Sequence, residues 1–269
     1  MPHITGHSGV HWHFEIEGEG DHLLFLHGWG VDKRIWRQQV KFFSQYFKTM
    51  IIDLPGHGKS SFVKTSLSDM AVDLKHILDH LGCKRVKMVG SSLGGLLALK
   101  FYSLYPDVVE RISFVGSMPK FASSFDYPYG LNIAEMRKLA GQLNQAYPSI
   151  INIFFRSLFT DEERQSRRFK WLLKFKPTED VPMKEALAEY LDVLEKEDLR
   201  EDLKRVTASL QFITGSGDQI VSTETLEYIK KIKPEAQYFT FDQCGHFPFL
   251  SKPHEFNQVL ADFLFPKGK

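Results

Sequence analysis

Six consecutive residues, Gly90-Ser91-Ser92-Leu93-Gly94-Gly95, contain a G-x-S-x-G pattern centred on Ser92. They follow a short apolar run, Val86 to Val89, and open a helix-like stretch, Leu93 to Tyr105. In that order of strand, sharp turn and helix, the segment forms a nucleophile elbow. The serine takes a strained backbone conformation, and the glycines two places before and after it let strand and helix pass closely. The competing reading is a glycine-bearing turn ahead of an ordinary helix. What separates the two is whether the chain also supplies a base to take the hydroxyl proton and a third group to orient that base.

Both groups follow, in the chain order Ser, acid, His. Leu210-Gln211-Phe212-Ile213-Thr214 reads as a buried strand running into Gly215-Ser216-Gly217-Asp218. Asp218 thus lies just past a strand's carboxyl end, the edge where ligand groups of open α/β sheets gather. After the next strand-like run, Gln237 to Phe241, the loop Asp242-Gln243-Cys244-Gly245-His246 carries the histidine. Asp242 is nearer to His246 in sequence, but it sits at a strand end where a solvated carboxylate is expected, so Asp218 is preferred. Preformed N–H donors must also stabilise the oxyanion of a tetrahedral intermediate. The Leu93 amide is one candidate; the Trp29 amide, in His27-Gly28-Trp29-Gly30 after the strand Leu23 to Leu26, is the second. A core-filling role for Trp29 competes, although packing alone explains a tryptophan between two loop glycines poorly.

The remaining histidines and basic motifs carry less. His3, His7, His11 and His13 lack the partners and spacing of a metal site, so no metal is expected. His57, in Pro55-Gly56-His57-Gly58-Lys59-Ser60, reads as a turn residue. Gly58-Lys59-Ser60 imitates the end of a phosphate-binding loop, but Asp53 stands where its first glycine belongs, which removes nucleotide binding.

The elements that must hold these groups come from hydrophobic patterning. The 269 residues, 43% of them hydrophobic and with a net charge of +1, are enough for one large core plus an insertion. The near-zero charge argues against nucleic-acid binding. No run approaches the ~18 apolar residues of a membrane helix, and Met1 to Gly6 lacks the apolar core of a signal peptide. With only Cys83 and Cys244, a reducing cytoplasm is the expected location, and Cys244 reads as a small buried residue.

His11 to about Glu17 alternates like an edge strand, followed by a hairpin turn at Gly18-Glu19-Gly20-Asp21. Thr49 to Asp53 and Arg111 to Val115 read as buried strands. Strands spaced by helical segments imply a mostly parallel sheet with helices on both faces. Between about Lys120 and Leu203 strand signals vanish, and helices are predicted over Ile133 to Ala146, Ser149 to Phe159, Asp161 to Lys174 and Pro182 to Lys196. This divides the chain into core segments 1–119 and 205–269 around a helical cap, 120–204, lying over the active-site rim. Arg156 to Lys176 carries seven basic against three acidic residues, and Glu179 to Asp202 carries ten acids against three bases. The cap aromatics Phe154, Phe155 and Phe159 either offer an apolar surface to substrate or simply pack cap onto core.

Several of these segments together resemble a known family. The serine, acid and histidine, His27-Gly28-Trp29-Gly30, Asp53-Leu54-Pro55-Gly56-His57-Gly58-Lys59-Ser60 and Gly245-His246-Phe247-Pro248-Phe249 resemble the α/β-hydrolase superfamily across nearly the whole chain. Leu26-His27-Gly28-Trp29-Gly30 and Asp198-Leu199-Arg200 are similar, more narrowly, to the pimeloyl-[acyl-carrier protein] methyl ester esterases of biotin synthesis.

The resemblance implies an eight-stranded, mostly parallel sheet with a helical cap, and hydrolysis of a methyl ester on a carrier-bound pimeloyl chain by a cytoplasmic monomer without cofactor. Ser92 becomes the nucleophile, Asp218 and His246 complete the triad, and Trp29 and Leu93 line the oxyanion site. The acyl-contacting cap segment aligns with Phe154, Phe155, Arg156, Ser157 and Leu158, and Arg164 and Arg168 fall at carrier-docking positions. Ser91 stands where a tryptophan is common in close relatives, and Ser149 and Ile153 replace an earlier pair of docking arginines. A short-chain carboxylesterase, a carbon–carbon bond hydrolase of ring-cleavage products and a non-enzymatic ligand receptor are the other readings open to this fold.

Overall fold

Short runs of Leu, Ile, Val and Phe pair into one sheet because their side chains find a hydrophobic layer on each face. In the computed structural model, which describes residues 3–173 and 181–265, the strands are β1 (His3–Thr5), β2 (His11–Glu17), β3 (His22–Leu26), β4 (Lys48–Ile52), β5 (Val86–Ser91), β6 (Val109–Val115), β7 (Ser209–Gly215) and β8 (Gln237–Phe241). Their order across the sheet is β1-β2-β4-β3-β5-β6-β7-β8. β3 to β8 run parallel, and β1 and β2 add an antiparallel end.

The period of two is visible in β3: Leu24 and Leu26 join one hydrophobic layer, Leu23 and Phe25 the other, and all four are fully buried. The first layer is closed by α2 (Leu67–His80), α3 (Leu93–Leu104), α9 (Arg200–Arg205) and α10 (Thr223–Ile232). The second is closed by α1 (Arg37–Phe43), α11 (Pro248–Ser251) and α12 (Pro253–Leu264). Ser66 starts α2 with a reciprocal capping box to Asp69. Lys87 is buried within β5, with its ammonium held by Asp21 at 2.9 Å and Glu110 at 2.8 Å, which offsets its loss of water.

Between β6 and β7 the chain forms α4 (Ile133–Ala146), α5 (Ser149–Ser157), α6 (Asp161–Gln165), α7 (Arg167–Leu172) and α8 (Lys184–Lys196). At the neck of this insertion Leu199 N–H donates to the Pro119 carbonyl at 2.8 Å, and Lys120 pairs with Asp198 at 3.0 Å. Among the described residues, no helix is long and apolar enough to cross a membrane.

Three expectations need correction. β2 is not the sheet edge, because the three-residue β1 pairs with its outer side. Gly18 to Asp21 is not a hairpin turn: β2 pairs with β4 rather than β3, since β4 inserts between them. The helix expected from Asp161 to Lys174 is two short helices, because Ser166 takes extended backbone (ψ 154°) and caps α7 by accepting the Phe169 N–H. Lys174, at its predicted end, lies outside the described residues.

Candidate active site

Ser92 sits where β5 becomes α3, with φ 52° and ψ −119°. A positive φ is costly for a residue with a Cβ and survives only where the surroundings overdetermine it. Here Ser92 N–H donates to Val115 O at 3.0 Å, and the Ser92 carbonyl accepts Gly95 N–H at 2.9 Å and Ser117 Oγ at 2.7 Å. A side chain on Gly90 would strike the backbone of Gly94 and Gly95, and one on Gly94 would strike the carbonyls of Leu26 and His27. The strand, the helix and the loop after β3 therefore meet at backbone contact distance. Leu93 begins α3, where N–H groups have no partner within the helix and the helix dipole is positive.

Asp218 and His246 come from the loops after β7 and β8. Both Asp218 oxygens lie 2.9 Å from His246 Nδ1, with side-chain exposures of 0% and 2%. Asp218 Oδ1 also accepts Ile220 N–H at 2.8 Å and Val221 N–H at 3.2 Å, which fixes the carboxylate. An imidazole donating from Nδ1 to a buried carboxylate keeps Nε2 as its acceptor. Asp242 instead accepts from Ser216 Oγ of the loop after β7 at 3.3 Å and from Gln243 N–H of its own turn at 3.0 Å.

Ser92 and His246 line one small, mostly apolar cavity of about 60 Å³, together with Gly28 and Trp29. The loop carrying Trp29 is held by two buried imidazoles. His27 Nδ1–H donates to Gly28 O at 2.8 Å while its Nε2 accepts Leu54 N–H at 2.9 Å. His57 Nδ1–H donates to Pro55 O at 3.2 Å while its Nε2 accepts Gly30 N–H at 3.3 Å. Both are neutral: burial lowers His27, and burial aided by neighbouring His27 lowers His57 to about 3. His57 does lie in a turn, and the turn is part of the core.

Of the five cap residues expected near substrate, Phe154 and Leu158 line the 60 Å³ cavity. Phe155 lines a separate cavity of about 540 Å³ with Val31, Ile35, Ile151 and Leu172. Arg156 and Ser157 line neither: both are exposed, Arg156 over the Phe169 ring and Ser157 bonded back to Phe154 O. Arg164 and Arg168 are half-buried and engaged within the protein. Arg164 donates to the Arg156 and Phe159 carbonyls and pairs with Asp161, whereas Arg168 donates to Leu250 O and stacks on Trp171. Arg167 and Lys170, like Arg156, are exposed. Sequence reading missed Phe121, Met136, Leu139, Leu191 and Leu194 as cavity walls. Four of the five had a signal in helical spacing: 136 and 139 on α4, and 191 and 194 on α8, place each pair on one face, whereas Phe121 lies outside the helices.

A family model for the alpha/beta hydrolase fold matches residues 21–253. The chain belongs to the α/β-hydrolase fold family. Among curated relatives of this hydrolase, the pimeloyl-[acyl-carrier protein] methyl ester esterase of Nitrosomonas europaea is 31% identical over 244 residues, covering 91% of this chain and 96% of its own. The protein of the same name from Citrobacter koseri is 32% identical over 252 residues, covering 92% and 95%. Among solved structures, an esterase from Exiguobacterium antarcticum superimposes with a TM-score of 0.89 at 23% identity over 97% of this chain and 98% of its own. A thermophilic esterase from Thermogutta terrifontis gives 0.84 at 22%, covering 98% and 97%. These superpositions establish a shared fold.

Proposed function

We propose that the protein is a serine carboxylic-ester hydrolase that removes the methyl ester from a pimeloyl chain carried by acyl-carrier protein. The observation that carries the chemistry is the buried Asp218–His246 pair sharing one cavity with a left-handed Ser92. The substrate is taken from the two relatives named above, which match over more than nine-tenths of this chain.

In this mechanism His246 Nε2 takes the Ser92 proton as Oγ attacks the ester carbonyl. Asp218 stabilises the imidazolium through Nδ1–H, and the Trp29 and Leu93 amides receive the oxyanion. His246 then gives its proton to the departing methoxide, releasing methanol and leaving an acyl-enzyme. Water activated by the same histidine hydrolyses it to the free acid. Segments 1–119 and 205–269 form the catalytic core and 120–204 the cap that chooses the acyl group. The protein works as a cytoplasmic monomer.

A second reading, a short-chain carboxylesterase indifferent to the carrier, is favoured by two features. The cavity beside Ser92 is small, and both arginines are engaged within the protein, Arg164 with cap carbonyls and Arg168 with the Leu250 carbonyl of the core. Turnover of a carrier-bound methyl ester against p-nitrophenyl esters separates the two. Rescue of a biotin auxotroph lacking its own esterase by the native chain, and no rescue by Ser92→Ala, is the outcome expected of the first. Rescue by both would remove Ser92 from the mechanism.

A further inference from the structure

The loop that carries His246 is bonded directly to the cap. His246 N–H donates to the carbonyl of Leu158 at 2.8 Å. Gly245 N–H donates to Glu163 Oε2 at 3.0 Å, and the Cys244 thiol donates to Glu163 Oε1 at 3.3 Å. Three successive residues ending at the histidine are thus held by Leu158 and Glu163, both in the helical insertion. Contact is close enough that a Cβ on Gly245 would collide with the Leu158 carbonyl and meet Glu163 Oε2 and Phe159 Cα at 3.0 Å. The Asp218 loop is drawn into the same corner: Gly217 N–H donates to Cys244 O at 2.8 Å, and a Cβ on Gly217 would meet the Thr160 methyl at 2.6 Å.

Glu163 is itself held in place. It is the third residue of α6, whose capping box has Thr160 Oγ1 accepting Glu163 N–H at 3.2 Å and Glu163 Oε2 accepting Thr160 N–H at 2.7 Å. Arg164 clamps the segment from the other side through the Arg156 and Phe159 carbonyls. One carboxylate therefore receives a cap N–H, a core N–H and a thiol, and charge-assisted bonds of this kind are about twice as strong as neutral ones. Nothing in the capping box itself requires the last two.

We infer that Glu163 is a positioning residue for His246, fixing from the cap the backbone that carries the imidazole. This rests on the esterase reading above, in which His246 is the base. The cap segment Leu158–Glu163 is then a fixed corner of the catalytic apparatus, and any movement admitting substrate takes place elsewhere in the cap.

The test uses the full-length protein with three variants, p-nitrophenyl butyrate turnover, labelling by a fluorophosphonate, and the downfield proton resonance of the His246 Nδ1–H in its bond to Asp218. Glu163→Ala is expected to lower kcat about ten- to a hundredfold, the scale of a small misplacement of a catalytic group, with KM nearly unchanged. The resonance should broaden or shift upfield. Glu163→Gln, whose amide oxygen still accepts Gly245 N–H, should recover most of the rate. Glu163→Asp, which keeps the charge but withdraws it by one methylene, should behave like Glu163→Ala. Should Glu163→Ala not fold, the Gln and Asp variants decide alone. Full kcat in the Asp variant, equal losses in Gln and Asp, or a rate loss with an unaltered resonance would overturn the inference. A wild-type protein left unlabelled at Ser92 would instead overturn the esterase reading, so the two failures are told apart.

Discussion

The indole N–H of Trp29 donates to the main-chain carbonyl of Leu187 at 2.9 Å, tying the loop after β3 to the cap helix α8. The same helix reaches the loop after β4, where Met183 N–H donates to Gly56 O at 2.7 Å and Tyr190 Oη donates to Pro55 O at 2.9 Å. Trp29 thus lines the Ser92 cavity and ties its indole to the cap. Replacing it by phenylalanine keeps a ring against Phe154 but removes the bond. Trp29→Phe should lose about 1 kcal/mol of stability in urea unfolding at unchanged m-value. Equal stability of the two proteins would show that the bond is not formed.

Removing the nucleophile should be far more costly to rate than to folding. Ser92→Ala should leave less than about a thousandth of wild-type ester turnover, and Asp218→Asn should lower kcat about 10⁴-fold by favouring the wrong imidazole tautomer. Melting temperatures taken alongside separate chemistry from folding. Substantial turnover by Ser92→Ala would point to another nucleophile.

His57 is protonated only at about pH 3 when folded but near pH 6.5 when the chain is unfolded. Between those values the unfolded state binds the proton and the native state does not, so stability falls as pH is lowered through this window. One such group contributes up to about 1.4 kcal/mol per pH unit well below its unfolded pKa. His57→Phe should be less stable at pH 7.5, having lost the bonds to Gly30 and Pro55, and should lose less on going to pH 4.5. Parallel slopes for wild type and variant would contradict a neutral, buried His57.

Both thiols are buried, and both titrate high. Burial lifts Cys83 to about 11, and burial together with the Glu163 carboxylate lifts Cys244 further. Since the thiolate is the reactive form, neither should react with a disulfide reagent at pH 8 in the native protein. Both should react once the chain is unfolded in guanidinium. Rapid native labelling of Cys244 would mean that the contact between Glu163 and its loop opens easily.

An acidic carrier docking on this part of the cap is expected to meet the exposed Arg167 and Lys170. Reversing both exposed charges to glutamate should reduce kcat/KM for a carrier-bound ester by about tenfold or more, through the association rate, and leave p-nitrophenyl ester turnover alone. Equal effects on the two substrates would locate the change in the site itself.

The α/β architecture was legible because buried parallel strands are continuous apolar runs ended by glycine-rich turns, as at Phe212 to Gly217. Asp218 and His246 stood out because each follows such a run, and the structure brings them into one hydrogen bond. β1 was not legible, since three residues are too few to show a period of two. Nor was the pairing of β2 with β4, because strand partners are set by tertiary packing. The break at Ser166 did have a local signal, a serine three places before Phe169, but the surrounding helix formers masked it. The internal bonds of Arg164 and Arg168 were not legible either, because sequence reports a charge without the direction of its side chain. The grip of Glu163 on the histidine loop spans some eighty residues of chain, beyond the reach of any local pattern.

The neck of the insertion brings Pro119 and Lys120 against Asp198 and Leu199, so the roof leaves and rejoins the sheet domain through a single narrow joint. A graft between related enzymes could therefore be cut at that joint without rewinding a strand. If the cap chooses the acyl group as proposed, the graft would inherit the donor's substrate preference, but it would carry the donor's residue 163 as well. Chimeras that swap roofs must match the recipient's histidine loop to the incoming carboxylate, or they will fold and yet turn over slowly.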